Sequence, residues 1–420
     1  MSISRRDFIV GCSSAIAAMA GSRVLGLDFA QEGASNKEPI LVVVFLRGGI
    51  DGLNLIAPVD DKNYLDARPD HLRIGASGEY KGVIAKGTLP TKQDWRFHRE
   101  CGGLAELFGD GSLAVLHATG LTHGTRSHFE SMDLMERGLS DSTGLTPNAS
   151  GWITRFLAGQ KGLGPYGVAS FSDSPPDSLV GMPHALAIPK LDDFGFWGGQ
   201  DQAKAIAALY AGTREIHRSG TAALATLETL VKKVPRNENF EALPYVPAAG
   251  VKYPDGELGE SLSDVARILK MDLGLRVAVV DFGGWDTHEN QTWFFNEQVK
   301  HLSNALHSFW NDTGAFHGRM HVLVMSEFGR RLRSNRSEGT DHGHGNAMMV
   351  LGQGVRGGKI HGRWPGLETE NLDQQLDLAV TTDYRAALAE VLESKWGAGA
   401  AKDVFPGLTK SKPIGLFDKR

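Results

Sequence analysis

A chain of 420 residues with 41% hydrophobic and 22% charged side chains has an ordinary globular composition, with enough apolar surface for one large α/β domain or two smaller ones. Its formal net charge of −5 gives no reason to expect a nucleic acid as partner. Glycine is abundant, at 52 residues, and many glycines stand beside aspartate or histidine, as in loops that bring backbone close to a ligand.

Residues 1–30 read as a signal peptide. Ser4-Arg5-Arg6-Asp7-Phe8-Ile9 is a twin-arginine signature, and a short apolar run extends from it to Ala20. That run is too short for a permanent membrane-spanning helix. Ala18-Met19-Ala20 is one cleavage candidate, and a site near Ala30 is another. Ile9-Val10-Gly11-Cys12 looks like a lipobox, but it sits too close to the arginines to leave an apolar region before it. The expected location is periplasmic or secreted, with the twin-arginine translocase as partner during export. Cys12 leaves with the signal, so the exported chain keeps Cys101 alone and forms no internal disulfide.

After a polar linker at 31–38, Pro39–Leu46 is a continuous apolar, β-branched run, as in a strand buried on both faces of a parallel sheet. It stops at Arg47-Gly48-Gly49-Ile50-Asp51-Gly52. An acid among glycines at the C-terminal end of a buried strand is where open α/β sheets place ligand sites, so Asp51 is a candidate metal ligand. A turn aspartate used for local hydrogen bonds is the alternative. A helix is predicted at Leu104–Leu107 and a strand at Ser112–His117.

In the next loop, Ser127 and Glu130 have the spacing of a capping box that opens an amphipathic helix. A hydroxyl at a helix N-terminus also faces a natural anion site. Ser127 is therefore both a candidate cap and a candidate nucleophile toward a phosphoryl or sulfuryl group. His123 and His128 flank it, and Arg126 is a candidate partner for the anion.

Residues 139–260 read differently and suggest a cap or insertion. They hold turn-rich pieces, aromatics at Phe194, Phe196 and Trp197, and a helical run from Gln202 to about Lys233. Pro244–Gly256 is a Pro/Gly-rich loop. Regular signals then return, with a helix at Ser261–Met271 and a strand at Leu275–Phe282. That strand runs into Gly283-Gly284-Trp285-Asp286-Thr287-His288. Next come a helix at Phe294–Trp310 and a strand at His321–Met325.

The next stretch ends in Asp341, His342, Gly343 and His344. Aspartate oxygen and imidazole nitrogen together suit Zn²⁺, or Mn²⁺ and Mg²⁺ where carboxylates dominate. Four arginines, Arg330, Arg331, Arg333 and Arg336, could add charge for an anion, and Glu327 could orient Arg330 or a metal-ligating histidine. Ala347–Leu351 is another strand, and residues 381–396 form a last helix. Gly352-Gln353-Gly354-Val355-Arg356-Gly357 matches a dinucleotide fingerprint, but Gly358-Lys359-Ile360-His361-Gly362 does not read as the required helix, so NAD binding is rejected.

Three apolar strands thus deliver Asp51, then Asp286 and His288, then Asp341, His342 and His344 to Gly-rich loops. Two metals about 4 Å apart would need roughly six protein ligands, the number these residues supply.

The leader, FLRGGIDGLN, TRSHFE, GGWDTHEN, SEFGRR and GTDHGHGNAMMVLGQGVRGGKIHGRWPGL together resemble the exported bacterial family called domain of unknown function 1501. That family is grouped with the alkaline phosphatase/sulfatase superfamily. The resemblance implies an alkaline-phosphatase-like three-layer α/β sandwich, with a central mostly parallel sheet between helices and a two-metal site at its strand ends. By that pattern Asp51 is the first-strand ligand and Ser127 takes the nucleophile's place. Asp341 and His342 pair on one metal, Asp286 and His288 on the other, and His344 ligates or supports. The metals would be Zn, Mn, Mg or Ca. Only Thr287 separates Asp286 from His288, where the superfamily's phosphatases place three residues, and His361 alone is available as a late histidine ligand. No C/S-x-P-x-R sequence is present, which argues against a formylglycine sulfatase. The expected activity is metal-dependent hydrolysis of a small anionic ester, or of a sulfated or phosphorylated polymer. A non-catalytic binding or assembly protein with the same fold is the alternative.

Overall fold

The apolar run after residue 38 forms the middle of the molecule. All seven residues of Ile40–Leu46 (β1) are buried, because both faces of the strand are covered. Ile40, Val42, Val44 and Leu46 enter one hydrophobic cluster, while Leu41, Val43 and Phe45 enter another. The computed structural model describes residues 38–146, 149–182, 185–193, 199–238, 241–409 and 413–418. The proposed signal peptide and the aromatics Phe194, Phe196 and Trp197 lie outside the described residues.

Eight further strands join β1 in one nine-stranded sheet. They are Leu113–Gly120 (β2), Val168–Phe171 (β3), Leu186–Ala187 (β4), Val277–Phe282 (β5), Met320–Met325 (β6), Asn346–Gly352 (β7), Lys359–His361 (β8) and Thr382–Asp383 (β9). The spatial order is β8-β2-β7-β6-β1-β5-β3-β4, with β9 also paired to β2. Val43 of β1 stands opposite Val279 and Leu323 in its parallel neighbours β5 and β6. Of these strands only β7 runs against its neighbours, β2 and β6.

Helices cover both faces. Gly102–Gly109 (α1) packs on the first cluster, and His128–Glu136 (α2) and Trp152–Ala158 (α3) pack on the second. Gly199–Leu209 (α4) and Glu215–Lys233 (α5) form a helical pair. Glu257–Lys270 (α6) and Gln291–Asp312 (α7) return to the first face, and Tyr384–Trp396 (α8) closes the second. The result is a three-layer α/β sandwich around a mostly parallel sheet, as the family resemblance implied.

Residues 139–260, read from sequence as a cap or insertion, are joined in part to the central sheet. They contribute β3 and β4, and β3 pairs in parallel with β5, so part of this stretch completes the central sheet. Strands of four and two residues carry too little periodicity to stand out from turn-rich sequence. The helical run predicted from residue 202 to 233 is broken into α4 and α5 by a turn around Gly212. Among the described residues no helix is long and apolar enough to cross a membrane.

The topology decides where the loops meet. β1, β2, β5 and β6 point the same way, so the loops after them leave one edge of the sheet. Because β7 is antiparallel, its first residue, Asn346, lies at that same edge. The loop from 326 to 345 therefore crosses that edge from β6 to β7.

Candidate metal centre

Three loops bring their side chains to this edge. The loop after β2 ends in His128, the first residue of α2. The loop after β5 carries Asp286 and His288, and the loop between β6 and β7 carries His342. Donor atoms of His128, Asp286 and His342 all lie within 4.8 Å of one another. His342 Nε2 is 2.9 Å from His128 Nε2, 2.8 Å from His288 Nε2 and 3.1 Å from Asp286 Oδ1. Asp286 Oδ1 is also 3.1 Å from His288 Nε2 and 3.4 Å from His128 Nε2.

The outer ring nitrogens fix the tautomers. His128 Nδ1 faces Glu327 Oε1 at 2.7 Å, His288 Nδ1 faces Asp341 Oδ1 at 3.2 Å, and His342 Nδ1 faces the Arg126 carbonyl at 2.8 Å. Each of these partners is an acceptor, which assigns the proton to each Nδ1, and in that tautomer each ring turns an Nε2 lone pair inward. Three lone pairs and a carboxylate oxygen cannot hydrogen-bond to one another. They need added protons or a cation among them. Ligands about 2.0–2.1 Å from a tetrahedral Zn²⁺ stand about 3.3 Å apart; His128, Asp286 and His342 meet this mutually at 2.9–3.4 Å, and His288 adds contacts of 2.8 and 3.1 Å to His342 and Asp286.

Charge around the group agrees with this arrangement. Burial raises the pKa of the Asp286 carboxyl, but the Arg330 guanidinium at 2.7 Å outweighs it and holds the group down at about 2. The hydrogen bond to Glu327 raises His128, whereas burial lowers His342. Asp341 is held low first by its hydrogen bond from Asn335.

Buried scaffolding sets the loops. Arg330 donates to the carbonyls of Gly49 (2.7 Å), Thr340 (2.9 Å) and Trp285 (3.0 Å), and to that of Gly48. It is thus a structural clamp, not a free charge for an anion. Glu327 accepts from the Gly48 amide at 2.8 Å as well as from His128, so it orients a histidine as its sequence position suggested. Gly48 has φ +119, and a Cβ there would stand 2.6 Å from the Asp286 amide, so only glycine allows this close approach.

Other residues singled out in the sequence lie elsewhere. Asp51 is buried, and both its oxygens face Arg68, at 2.6 and 3.1 Å, with Gln291 Nε2 at 2.7 Å from Oδ2. Asp341 stands behind His288 and does not join the inner four atoms. His344 points away, with Nε2 2.9 Å from the Leu121 carbonyl and Nδ1 3.2 Å from Asp373. The Arg126 guanidinium is engaged by Asp373 and Asp377. His361 is on β8, bonded to the Arg356 carbonyl. Ser127 is the residue before α2, exposed, and its hydroxyl makes no capping bond. The expected capping box is absent because Glu130 accepts from Thr125 Oγ1 at 2.6 Å instead. His128, read from sequence as flanking a nucleophile, belongs to the inner group. Arg68 and Gln291 carried no sequence signal, since a lone arginine before proline and a glutamine opening a helix occur in any protein.

The chain matches the family described as "Protein of unknown function (DUF1501)" over residues 265–406, a stretch that includes Asp286, His288, Asp341 and His342. No curated protein matches it in sequence. Among solved structures it is similar to the C-terminal periplasmic domain of EcEptC from Escherichia coli, in complex with Zn, with a TM-score of 0.34 at 8% identity over 77% of this chain and 75% of that one. It is similar to alkaline phosphatase from the Antarctic bacterium TAB5, with a TM-score of 0.30 at 9% identity over 76% and 93%. It is also similar to the PsFucS1 sulfatase from Pseudoalteromonas sp., with a TM-score of 0.38 at 9% identity over 97% and 76%.

Proposed function

We propose that the chain is an exported, metal-dependent hydrolase of phosphate or sulfate esters, built around one divalent ion held by His128, Asp286, His288 and His342. The observation that carries this is the convergence of the His128 and His342 Nε2 atoms on an Asp286 oxygen, with His288 Nε2 against the last two and each imidazole backed by an acceptor on its other nitrogen. Three imidazoles and one carboxylate suit Zn²⁺ best, with Mn²⁺ next. A bound ion would supply Lewis-acid polarisation of an ester oxygen.

The chain's own residues fit the rest of that chemistry. Asp286 and His288 are 48% and 42% exposed at their side chains, so the group is open to a solute. The Ser127 hydroxyl precedes α2 beside His128, where the unpaired first-turn amides of a helix favour an anion. It serves either as nucleophile or as a contact to the ester. Export through the twin-arginine translocase to the periplasm or beyond belongs to the same reading.

The Asp51–Arg68 pair favours one ion over two, because it occupies the carboxylate that a second ion would use. It also leaves room for a second reading, a metal-bearing binding or assembly protein without turnover.

The test is metal content of the chain purified without chelators, together with a screen of phosphate and sulfate monoesters. About one ion per chain, lost in His342→Ala together with turnover, is the expected result. Activity that survives Ser127→Ala removes the nucleophile role. Metal held without turnover moves the reading to the binding protein. A folded wild type that ignores added Zn²⁺ and Mn²⁺ sinks the metal-dependent reading.

A further inference from the structure

Behind the inner four atoms lies a buried polar chain that belongs to no metal contact. Gln291, the first residue of α7, is completely buried. Its Nε2 donates to Asp51 Oδ2 at 2.7 Å. Its Oε1 accepts from Thr340 Oγ1 at 2.6 Å and from Thr287 Oγ1 at 3.1 Å. A carboxylate accepts only, so the amide has one consistent orientation, and its oxygen is left for the two hydroxyls. Thr287 stands between Asp286 and His288, and Thr340 directly precedes Asp341 and His342. One carboxamide therefore touches both loops that carry the candidate ligands. The loops also meet directly, with the Thr340 amide 3.2 Å from the Thr287 carbonyl.

The anchor of this chain is the Asp51–Arg68 pair. Arg68 continues past Asp51 to the carbonyls of Leu332 (2.8 Å) and Arg331 (2.9 Å), in the segment that leads to Thr340. A buried carboxylate that holds a guanidinium on one side and a carboxamide on the other has little freedom to move.

We propose that Gln291 is a positioning residue for the metal centre: held on the Asp51–Arg68 pair, its carboxamide sets the spacing between the Asp286–His288 loop and the Asp341–His342 loop. The inference rests on the metal-centre reading above. It gives Asp51 a role as the anchor of the ligand loops in place of a role as ligand. Partners that orient metal ligands from behind typically change metal affinity by about 10- to 100-fold when removed. Gln291 acts one step further out, through the backbone of two loops, and the lower end of that range is expected.

The test uses Co²⁺ as a spectroscopic probe on the full-length chain, with Gln291→Met, Thr340→Val and Thr340→Ser. Gln291→Met and Thr340→Val should weaken Co²⁺ binding about tenfold and shift the visible Co²⁺ bands. Thr340→Ser, which keeps the hydroxyl, should restore both. If Gln291→Met does not fold, the Thr340 pair carries the comparison alone. Lower melting temperatures with unchanged bands and affinity would reduce Gln291 to a packing role and overturn the proposal. Wild type that binds Co²⁺, loses it in His342→Ala and keeps it unaltered in these variants retains the centre but defeats the positioning role. Wild type that takes up no Co²⁺ removes the centre and the proposal together.

Discussion

Asp51 and Arg68 are a buried pair whose side chains are 1% and 0% exposed, and neither has another residue able to neutralise it in the contacts described. Removing one partner leaves the other charged in a low-dielectric interior, a loss that typically costs about 3–5 kcal/mol. Arg68→Met should therefore lower the unfolding free energy by about that amount. Asp51→Asn added to Arg68→Met should return part of it, since the orphaned charge is then gone. Denaturant titration of the two variants checks this, and a double variant no more stable than Arg68→Met would show that packing, not charge, dominates. The same residue shows where the sequence stops being readable. An aspartate among glycines after a buried strand looks the same whether its partner is a metal or an arginine. Arg68 lies 17 positions away in a stretch without pattern, so nothing local announces the pairing. Asp286, His288 and His342 carried the same kind of signal, loops that follow apolar strands, and here the structure brings the side chains together.

The long elements were legible because both faces of their strands are buried. β1, β5, β6 and β7 match apolar runs to within two residues at either end, as continuous burial makes them. The segment between α5 and α6, read from sequence as a Pro/Gly-rich loop at Pro244–Gly256, is irregular in the structure, and one polar node ties it to the end of α7. Asp312, at the end of α7, accepts from Tyr245 Oη (2.7 Å), Tyr253 Oη (2.9 Å), the Ala248 amide (2.6 Å) and Lys270 Nζ (2.5 Å). Four donors converge on two oxygens, and an amide in that place would turn an NH₂ group toward two of them. Asp312→Asn should free the loop around Tyr245–Tyr253 and cost about 1–3 kcal/mol. Faster exchange of the Ala248 amide and faster proteolysis in that loop are the expected readouts. Metal content should stay at the wild-type level, because none of the node's contacts reaches the candidate centre. Protection equal to wild type would mean that the apolar contacts of the loop suffice to hold it.

Across the whole molecule the polar interior is uneven, and acid should find it. Burial pushes His98 and His117 down to about 4, and both rings are enclosed, His117 with its Nε2 on the Ile56 carbonyl and in T-shaped contact with Trp95 and Trp364. In the unfolded chain the same rings titrate near about 6.5. Between these values the unfolded state binds protons that the folded state refuses, so stability is complete above about pH 6.5 and falls as the pH drops toward 4. His128 works in the opposite sense. The hydrogen bond to Glu327 raises it, so its contribution is present at low pH and fades as the pH rises through its folded value. A variant comparison separates the two effects. His117→Gln keeps a donor for the Ile56 carbonyl but has no proton to gain. Whatever it costs at pH 7, its further loss of stability between pH 7 and pH 4.5 should be smaller than that of wild type by about 2.5 kcal/mol, the integral of one proton taken up across that range. Unfolding free energies of both chains at the two pH values, with chelator present so that metal loss does not enter, measure it. Equal losses in the two chains would mean that His117 is protonated in the fold, and that the acid sensitivity comes from elsewhere in the sheet.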